Sequence, residues 1–200
     1  MIVEADPADA QPSTMTVVGL DGSPTGGGRT ALAVRHVLGV ADAAGATTEV
    51  ISLANVSTEE ASARIDAADG VVIGSPVISA SFAFPLKRLL DLLSDTWGQK
   101  PTPLQGKAVV VVLTSVDLQH FLALSDLGGL LTNFFAAHVL PPGLHLPHAA
   151  YGQDSVLVAP FGALAEQQGR ALVEMIAALR RYPTLRGLGP QTFLRGGSER

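Results

Sequence analysis

Short, mostly apolar segments alternate along the chain with longer segments whose apolar residues recur at helical spacing. The short segments are rich in β-branched residues, which is typical of buried strands. They cover Thr16–Leu20, Glu49–Leu53, Gly70–Gly74, Val109–Leu113 and Val139–Leu146. Helices are predicted at Arg29–Ala44, Ser57–Ala68, Leu86–Leu93, Leu122–Ala137 and Leu164–Arg181. Each predicted strand is therefore followed by one helix.

This alternation predicts the fold class. Strands that are apolar on both faces belong in a parallel sheet that helices cover on both sides. Right-handed crossovers leave few topologies for such units, and all of them are doubly wound. We therefore predict an α/β fold with a doubly wound parallel sheet. Ligands of such sheets bind beyond the carboxyl ends of the strands, at the point where the strand order reverses.

The composition fits one globular domain. Of the 200 residues, 47% are hydrophobic and 16% are charged, which excludes disorder as the global state. No apolar run approaches the ~20 residues that are needed to cross a bilayer. Glu4, Asp6 and Asp9 stand where a secretory signal would be basic and then apolar. At a net charge of −5 the chain lacks the basic field that nucleic acid or an acidic membrane attracts, so we expect a cytoplasmic protein with neither partner.

Two flanking segments border the predicted domain, which spans residues 15–181. Residues 1–14 are polar and interrupted by proline, and this pattern predicts a flexible N-terminal arm. Residues 182–200 are rich in glycine, proline and arginine, and they predict a flexible or partner-contacting C-terminal tail.

The metal-binding signals are weak. The chain has no cysteine, which excludes disulfides, thiol nucleophiles and Cys-ligated metals. His138, His145 and His148 lie near the fifth strand, but their spacing matches no recognised ligand pattern. We interpret them as surface or loop histidines, and no metal site is predicted.

Chemistry is expected in the three loops that follow strands one, three and four, at residues 21–29, 75–82 and 114–121. The first loop joins a strand to a helix and contains hydroxyls, glycines and an arginine, a combination suited to an anion at the start of a helix. The candidate ligands of a phosphate are Ser23, Thr25, Arg29 and Thr30. The alternative is that this loop is glycine-rich only for flexibility.

Two common nucleotide-binding patterns are absent from the sequence. The loop has neither the lysine of a nucleoside-triphosphate-binding P-loop nor the Gly-x-Gly-x-x-Gly spacing of a dinucleotide site. The second strand also ends without the acidic residue that holds an adenosine ribose. A mononucleotide phosphate therefore remains the favoured ligand.

Four short motifs in a fixed order carry a resemblance to a known family. They are Gly22-Ser23-Pro24 with Arg29-Thr30, Gly74-Ser75-Pro76, Pro85-Leu86-Lys87 with Leu90-Asp91, and the Gly106-Lys107 turn. In this order the chain resembles the NADPH-dependent FMN reductase family of flavodoxin-like proteins from Val17 to Arg181. Within that family it is similar to the small flavin reductases that feed two-component monooxygenases.

The resemblance implies a fold and a set of cofactor contacts. The fold is a flavodoxin-like, five-stranded parallel sheet of order 2-1-3-4-5 with helices on both faces, and FMN binds at the strand ends. The resemblance places the phosphate on the four loop residues named above. It places the isoalloxazine ring along Pro76, Val77, Ile78 and Ser79, and its pyrimidine edge at Thr114, Ser115 and Val116.

The implied activity is transfer of a hydride from NADPH or NADH to FMN and on to an acceptor, as in a flavin reductase or small quinone reductase. No side chain is an obligate acid in this chemistry, and His120 is the candidate proton donor or ligand contact. The implied assembly is a homodimer or homotetramer, with a monooxygenase as a candidate partner.

Two positions differ from the common pattern of the family. Ile78 replaces a frequent aromatic residue, and Ser115-Val116-Asp117 replaces a Gly-Gly turn after the fourth strand. These differences leave an alternative function open, that of a flavodoxin-like binding or partner protein whose flavin chemistry has lapsed or been redeployed.

Overall fold

The computed structural model describes residues 14–95 and 101–189. Within them the strands are β1 (Thr16–Asp21), β2 (Thr47–Ser52), β3 (Gly70–Ile78), β4 (Ser81–Phe82), β5 (Ala108–Thr114), β6 (His138–Val139) and β7 (Leu144–Leu146). The helices are α1 (Gly28–Ala43), α2 (Thr58–Ala67), α3 (Phe84–Ser94), α4 (Leu122–Asn133), α5 (Phe161–Arg181) and α6 (Pro183–Arg186). Short 3₁₀ helices span Leu118–His120 and His148–Ala150. The predicted arm lies outside the described residues except for Thr14, and so does the end of the predicted tail.

The main path of the sheet has the order β2-β1-β3-β5-β6, and all neighbours on this path are parallel. β6 pairs with the beginning of β5 and β7 with its end, so the two together form the predicted fifth strand. The predicted doubly wound order 2-1-3-4-5 is thus confirmed. The fifth strand is interrupted between β6 and β7 because Pro141 and Pro142 have no amide hydrogen to donate to β5.

Helices cover both faces of this sheet, as predicted. β5 lies between β3 and the β6–β7 edge and is buried along its whole length. On one face, α2, α3 and α4 bury side chains such as Ile65, Leu89 and Leu127. On the other face, α1 and α5 bury Val37 and Leu172. Since both faces of the sheet are covered, the sheet reaches solvent mainly at its strand ends and the loops that follow them.

The segment after β3 differs from the prediction. Residues 75–78, predicted as part of a loop, continue β3, which turns at Ser79 and Ala80 and pairs with β4 as an antiparallel hairpin. Both turn residues have positive φ, 51° and 61°. Such two-residue turns are normally signalled by Asn-Gly or Asp-Gly, and Ser-Ala carries no comparable signal. The Ser75 hydroxyl fixes the base of the hairpin by accepting the Ala83 amide at 2.8 Å.

One helix boundary is corrected, and the first residues of the predicted tail form a short helix. The helix predicted to reach Ala137 ends at Asn133, and the chain then turns through Ala136 at φ 52°. The predicted tail begins with the short helix α6, where the Leu185 carbonyl lies 2.8 Å from His138 Nε2. The start of the tail is therefore bonded to β6. Within the described residues no helix is both long and apolar enough to cross a membrane.

Replacing Ala80 with glycine should stabilise the protein. Glycine adopts the φ of 61° without the steric penalty of a Cβ, so the free energy of unfolding should rise by about 0.5–1 kcal/mol. Urea denaturation measures this change. In the control, the same substitution at exposed Ala63 within α2 should lower the free energy of unfolding by about 1 kcal/mol. Destabilisation by Ala80→Gly would contradict the turn geometry.

Candidate functional site

The loop between β1 and α1 has a backbone that requires its glycines. Gly26, Gly27 and Gly28 have φ values of 68°, 74° and 67° in succession. Residues with a side chain rarely adopt this region, so three consecutive positions would be strained by any other residue. The glycine run therefore shapes the loop, and flexibility alone does not account for it.

A buried carboxylate holds this loop in place. Asp21, the last residue of β1, is 1% exposed. One of its oxygens accepts the Ser23 amide at 3.0 Å, and the other accepts the Gly27 amide at 2.6 Å. The chain is thus closed around the carboxylate from both sides. Sequence analysis missed Asp21, although an acidic residue between a buried strand and a glycine-rich turn is a recognisable acceptor for loop amides.

The start of α1 is open to an anion. An α-helix leaves the amides of its first turn without acceptors inside the helix, and the N-cap residue Gly27 supplies no side chain to cap them. The first turn also contains no acidic residue. Ser23 and Thr25 place their hydroxyls 3.4 Å apart in the preceding loop, and the Arg29 side chain is exposed. These groups fit a phosphate, because each of them donates hydrogen bonds.

Thr30 lies in a different environment from the other three predicted phosphate ligands. It is buried, and its hydroxyl lies 2.7 Å from the Thr114 hydroxyl at the end of β5. Two bonded hydroxyls use one hydrogen between them and keep one for a further acceptor. The structure therefore makes Thr30 and Thr114 a pair beneath the loop.

The three predicted loops meet at the carboxyl edge of the sheet. The Gly22 amide donates to the Gly74 carbonyl at 2.8 Å, and a Cβ on Gly22 would lie 2.7 Å from that oxygen. Pro76 is the register partner of Thr114. Together with the threonine pair, these contacts bring the ends of β1, β3 and β5 to one place.

Apolar side chains are exposed around this edge. In the predicted ring-contact segment, Pro76 and Val77 are half-buried and Ser79 is exposed. Ile78 is 49% exposed, and in the loop after β5 Val116 is 78% exposed. Further large apolar side chains are exposed nearby in the chain at Phe84, Leu118, Phe121 and Leu122. Side chains of this kind suit a flat aromatic ligand or a second protein surface.

A serine–histidine contact supports the turn after β5. Ser115 Oγ donates to the Asp117 carbonyl and lies 2.8 Å from His145 Nε2. Because a serine hydroxyl has one hydrogen, His145 Nε2 acts as the donor and Nδ1 carries the lone pair. The Asp117 carboxylate accepts the Gln119 amide at 2.9 Å and caps the first 3₁₀ helix. Side-chain hydrogen bonds thus shape the turn after β5.

The interpretation of His145 as a surface or loop residue was wrong. It lies on β7 between buried Leu144 and Leu146, and its Nδ1 is buried without a partner among the described residues. Burial lowers the pKa of His145 below its usual value, and nearby His120 lowers it further, while Asp117 raises it. The sequence could not indicate this role, because His145 meets Ser115 only through the pairing of β5 with β7. His120 itself remains a predicted contact.

The fold and the loops at its carboxyl edge define a flavodoxin-like protein. The crystal structure of the apo form of the NADH:FMN oxidoreductase EMOB is similar, with a TM-score of 0.71 over 90% of this chain and 99% of that chain at 21% identity. An archaeal flavodoxin gives a TM-score of 0.61 over 82% and 99% at 15% identity. The chain belongs to the NADPH-dependent FMN reductase family, whose sequence profile matches residues 15–150.

Two curated relatives are similar over part of their length. The NADH-dependent FMN reductase SfnF of Pseudomonas putida is 35% identical over 93 residues, which are 46% of this chain and 47% of the relative. The NAD(P)H-dependent FAD/FMN reductase of Geobacillus thermodenitrificans (strain NG80-2) is 28% identical over 106 residues, or 53% and 54%. The matched part of the chain thus spans about half the length of each of these relatives.

The pKa of His145 predicts a pH-dependent stability. Because this pKa is lower in the folded state, the unfolded chain binds the proton more readily as the pH falls below about 6.5. The free energy of unfolding should therefore decrease through that window, and His145→Gln should reduce the decrease. Denaturation at pH 7.5 and at pH 5.5 measures it. A pH profile that stays the same in His145→Gln would contradict this prediction.

Proposed function

We propose that the protein is an FMN-dependent NAD(P)H oxidoreductase of the flavin reductase type. It would transfer a hydride from NADPH or NADH to flavin and pass the electrons to an acceptor. Flavin reductases and small quinone reductases both carry out this kind of reaction. The observation that carries this proposal is the start of α1, which no side chain caps and which contains the exposed Arg29. The loop before it holds two neighbouring hydroxyls, and the chain belongs to the FMN reductase family.

The residues of the site have separate roles in this proposal. Ser23, Thr25 and Arg29 would hold the phosphate together with the first amides of α1. The Thr30–Thr114 pair would offer its remaining hydrogen from below the loop. When bound, FMN would supply the centre that accepts the hydride.

The ring would lie on the β3–β4 hairpin and against the turn after β5. Pro76, Val77, Ile78 and Ser79 would orient it, and their half-buried to exposed side chains leave room for a ligand at this edge. Ser115 and Val116 would meet the pyrimidine side, with Ser115 held by His145. His120 would be a proton donor or ligand contact on the short helix that follows.

An alternative function is that of a flavodoxin-like binding or partner protein with lapsed or redeployed flavin chemistry. Two observations favour it. The turn Ser115-Val116-Asp117 has side chains where bare amides approach the ring in many relatives. The buried Asp21 carboxylate also lies within the loop that would hold the phosphate, and its charge opposes an anion.

The exposed apolar side chains at Ile78, Phe84 and Val116 support a partner at this edge of the sheet. We propose a homodimer or homotetramer, and a monooxygenase as the acceptor of reduced flavin. We also propose the cytoplasm as the compartment, where the nicotinamide donor would be regenerated.

Flavin titration and nicotinamide oxidation test the proposal against its alternative. The purified protein should bind FMN more tightly than riboflavin and should oxidise NADPH or NADH only when flavin is present. Binding without turnover would support the binding-protein alternative. If neither flavin binds, both the cofactor assignment and the proposed activity are wrong.

Replacing Arg29 with alanine should weaken FMN binding by about 10- to 100-fold and leave riboflavin binding unchanged. The estimate corresponds to the loss of about 1.5–3 kcal/mol for a charge-assisted hydrogen bond to phosphate. Fluorescence titration with both flavins measures the effect. Arg35→Ala removes an exposed arginine from the same helix and should change neither affinity. An unchanged FMN affinity in Arg29→Ala would remove Arg29 from the phosphate site.

A further inference from the structure

Tyr151 contacts Arg29 in two ways across 122 residues of sequence. Its hydroxyl donates to the Arg29 carbonyl at 3.0 Å. The Arg29 guanidinium carbon lies 6.0 Å from the centroid of the Tyr151 ring, within range of a cation–π interaction. Tyr151 also lies just beyond residues 15–150, the part of the chain that the family profile matches.

Tyr151 lies at the start of a loop, residues 151–158, that is closed by backbone hydrogen bonds. Tyr151 and Leu157 form an isolated antiparallel bridge. The Gly152 amide donates to the Val156 carbonyl at 2.8 Å, and the Val158 amide donates to the Ala150 carbonyl at 2.9 Å. The ring therefore approaches α1 from a constrained segment.

We propose that Tyr151 is a positioning residue that sets Arg29 for the phosphate of the flavin and so determines the preference for FMN over riboflavin. The inference rests on the proposed function. An exposed arginine samples many rotamers, and holding it costs conformational entropy on binding. A ring beneath the guanidinium and a bond to the carbonyl of the same residue restrict both ends of Arg29 before the ligand arrives.

The state of the phenol fits this role. Burial raises the pKa of Tyr151 to about 12, against the opposing effect of Arg29. The hydroxyl therefore keeps its proton throughout the neutral range and remains able to donate to the Arg29 carbonyl. A tyrosine that served only for packing would need neither the hydrogen bond to the Arg29 carbonyl nor the contact with the guanidinium.

Dissociation constants for FMN and riboflavin in four variants and the unaltered protein test the inference. Tyr151→Leu removes both contacts and should weaken FMN binding about tenfold, with riboflavin affinity within twofold of the unaltered protein. Tyr151→Phe keeps the ring and should recover at least half of that loss on a logarithmic scale. In Arg29→Ala, adding Tyr151→Leu should weaken FMN no further, because the residue that Tyr151 positions is already absent.

Tyr182 provides a matched control. The Arg181 guanidinium carbon lies 5.7 Å from its ring, so Tyr182→Leu removes the same kind of contact away from the phosphate loop. This variant should bind both flavins as the unaltered protein does. Thermal denaturation establishes whether each variant is folded. If Tyr151→Leu does not fold, Tyr151→Phe serves as the test, and it should lower FMN affinity about twofold.

The outcomes separate the inference from the function on which it rests. Equal weakening of FMN and riboflavin by Tyr151→Leu would show a structural role only and would overturn the inference alone. Additive losses in Tyr151→Leu and Arg29→Ala would overturn it as well. Failure of the unaltered protein to bind either flavin would overturn the proposed function, and the inference with it.

Discussion

The carboxylate of Asp21 is the interaction on which the carboxyl edge of the sheet depends. It is buried at the end of β1 and accepts amides from both sides of the loop that leads to α1. A buried charge is tolerated only where hydrogen bonds replace the lost water, and here two backbone donors do so. Among the described residues, no side chain caps the start of α1. The loop therefore has an internal anion as its support, beside the helix start that we propose as the phosphate site. The charge of Asp21 would weaken the binding of an anion there.

Close contacts between strand ends extend this order to the rest of the site. A Cβ on Gly22 would lie 2.7 Å from the Gly74 carbonyl oxygen, and a Cβ on Gly74 would lie 2.4 Å from a methyl group of Val34. The Thr30–Thr114 pair joins α1 to β5, and Ser115 joins β5 to His145 on β7. Each contact ties neighbouring elements of the fold. A side chain introduced at one of these points would consequently disturb more than one loop.

The fold class could be predicted from the sequence because the buried strands have a strong apolar signal. The run of valines in β5 has no polar alternation, and only a strand covered on both faces buries it completely. The β3–β4 hairpin escaped prediction because Ser79-Ala80 is a poor signal for a turn with positive φ. Arg29 could be proposed from local sequence alone, since the proposed anion site depends on the residues of one loop. His145 and Tyr151 could not, because their partners lie 30 and 122 residues away and meet them only in the folded chain.

The interruption between β6 and β7 has a consequence for self-association. An uninterrupted edge strand presents a row of unpaired amides and carbonyls to which a strand of another molecule can add, and this addition is a route to aggregation. Here the outer strand is divided into pieces of two and three residues with prolines between them, so no long template is available on that side. On this side of the sheet, an ordered assembly must then be built from helix surfaces or loops, because β6 and β7 offer no strand long enough to extend.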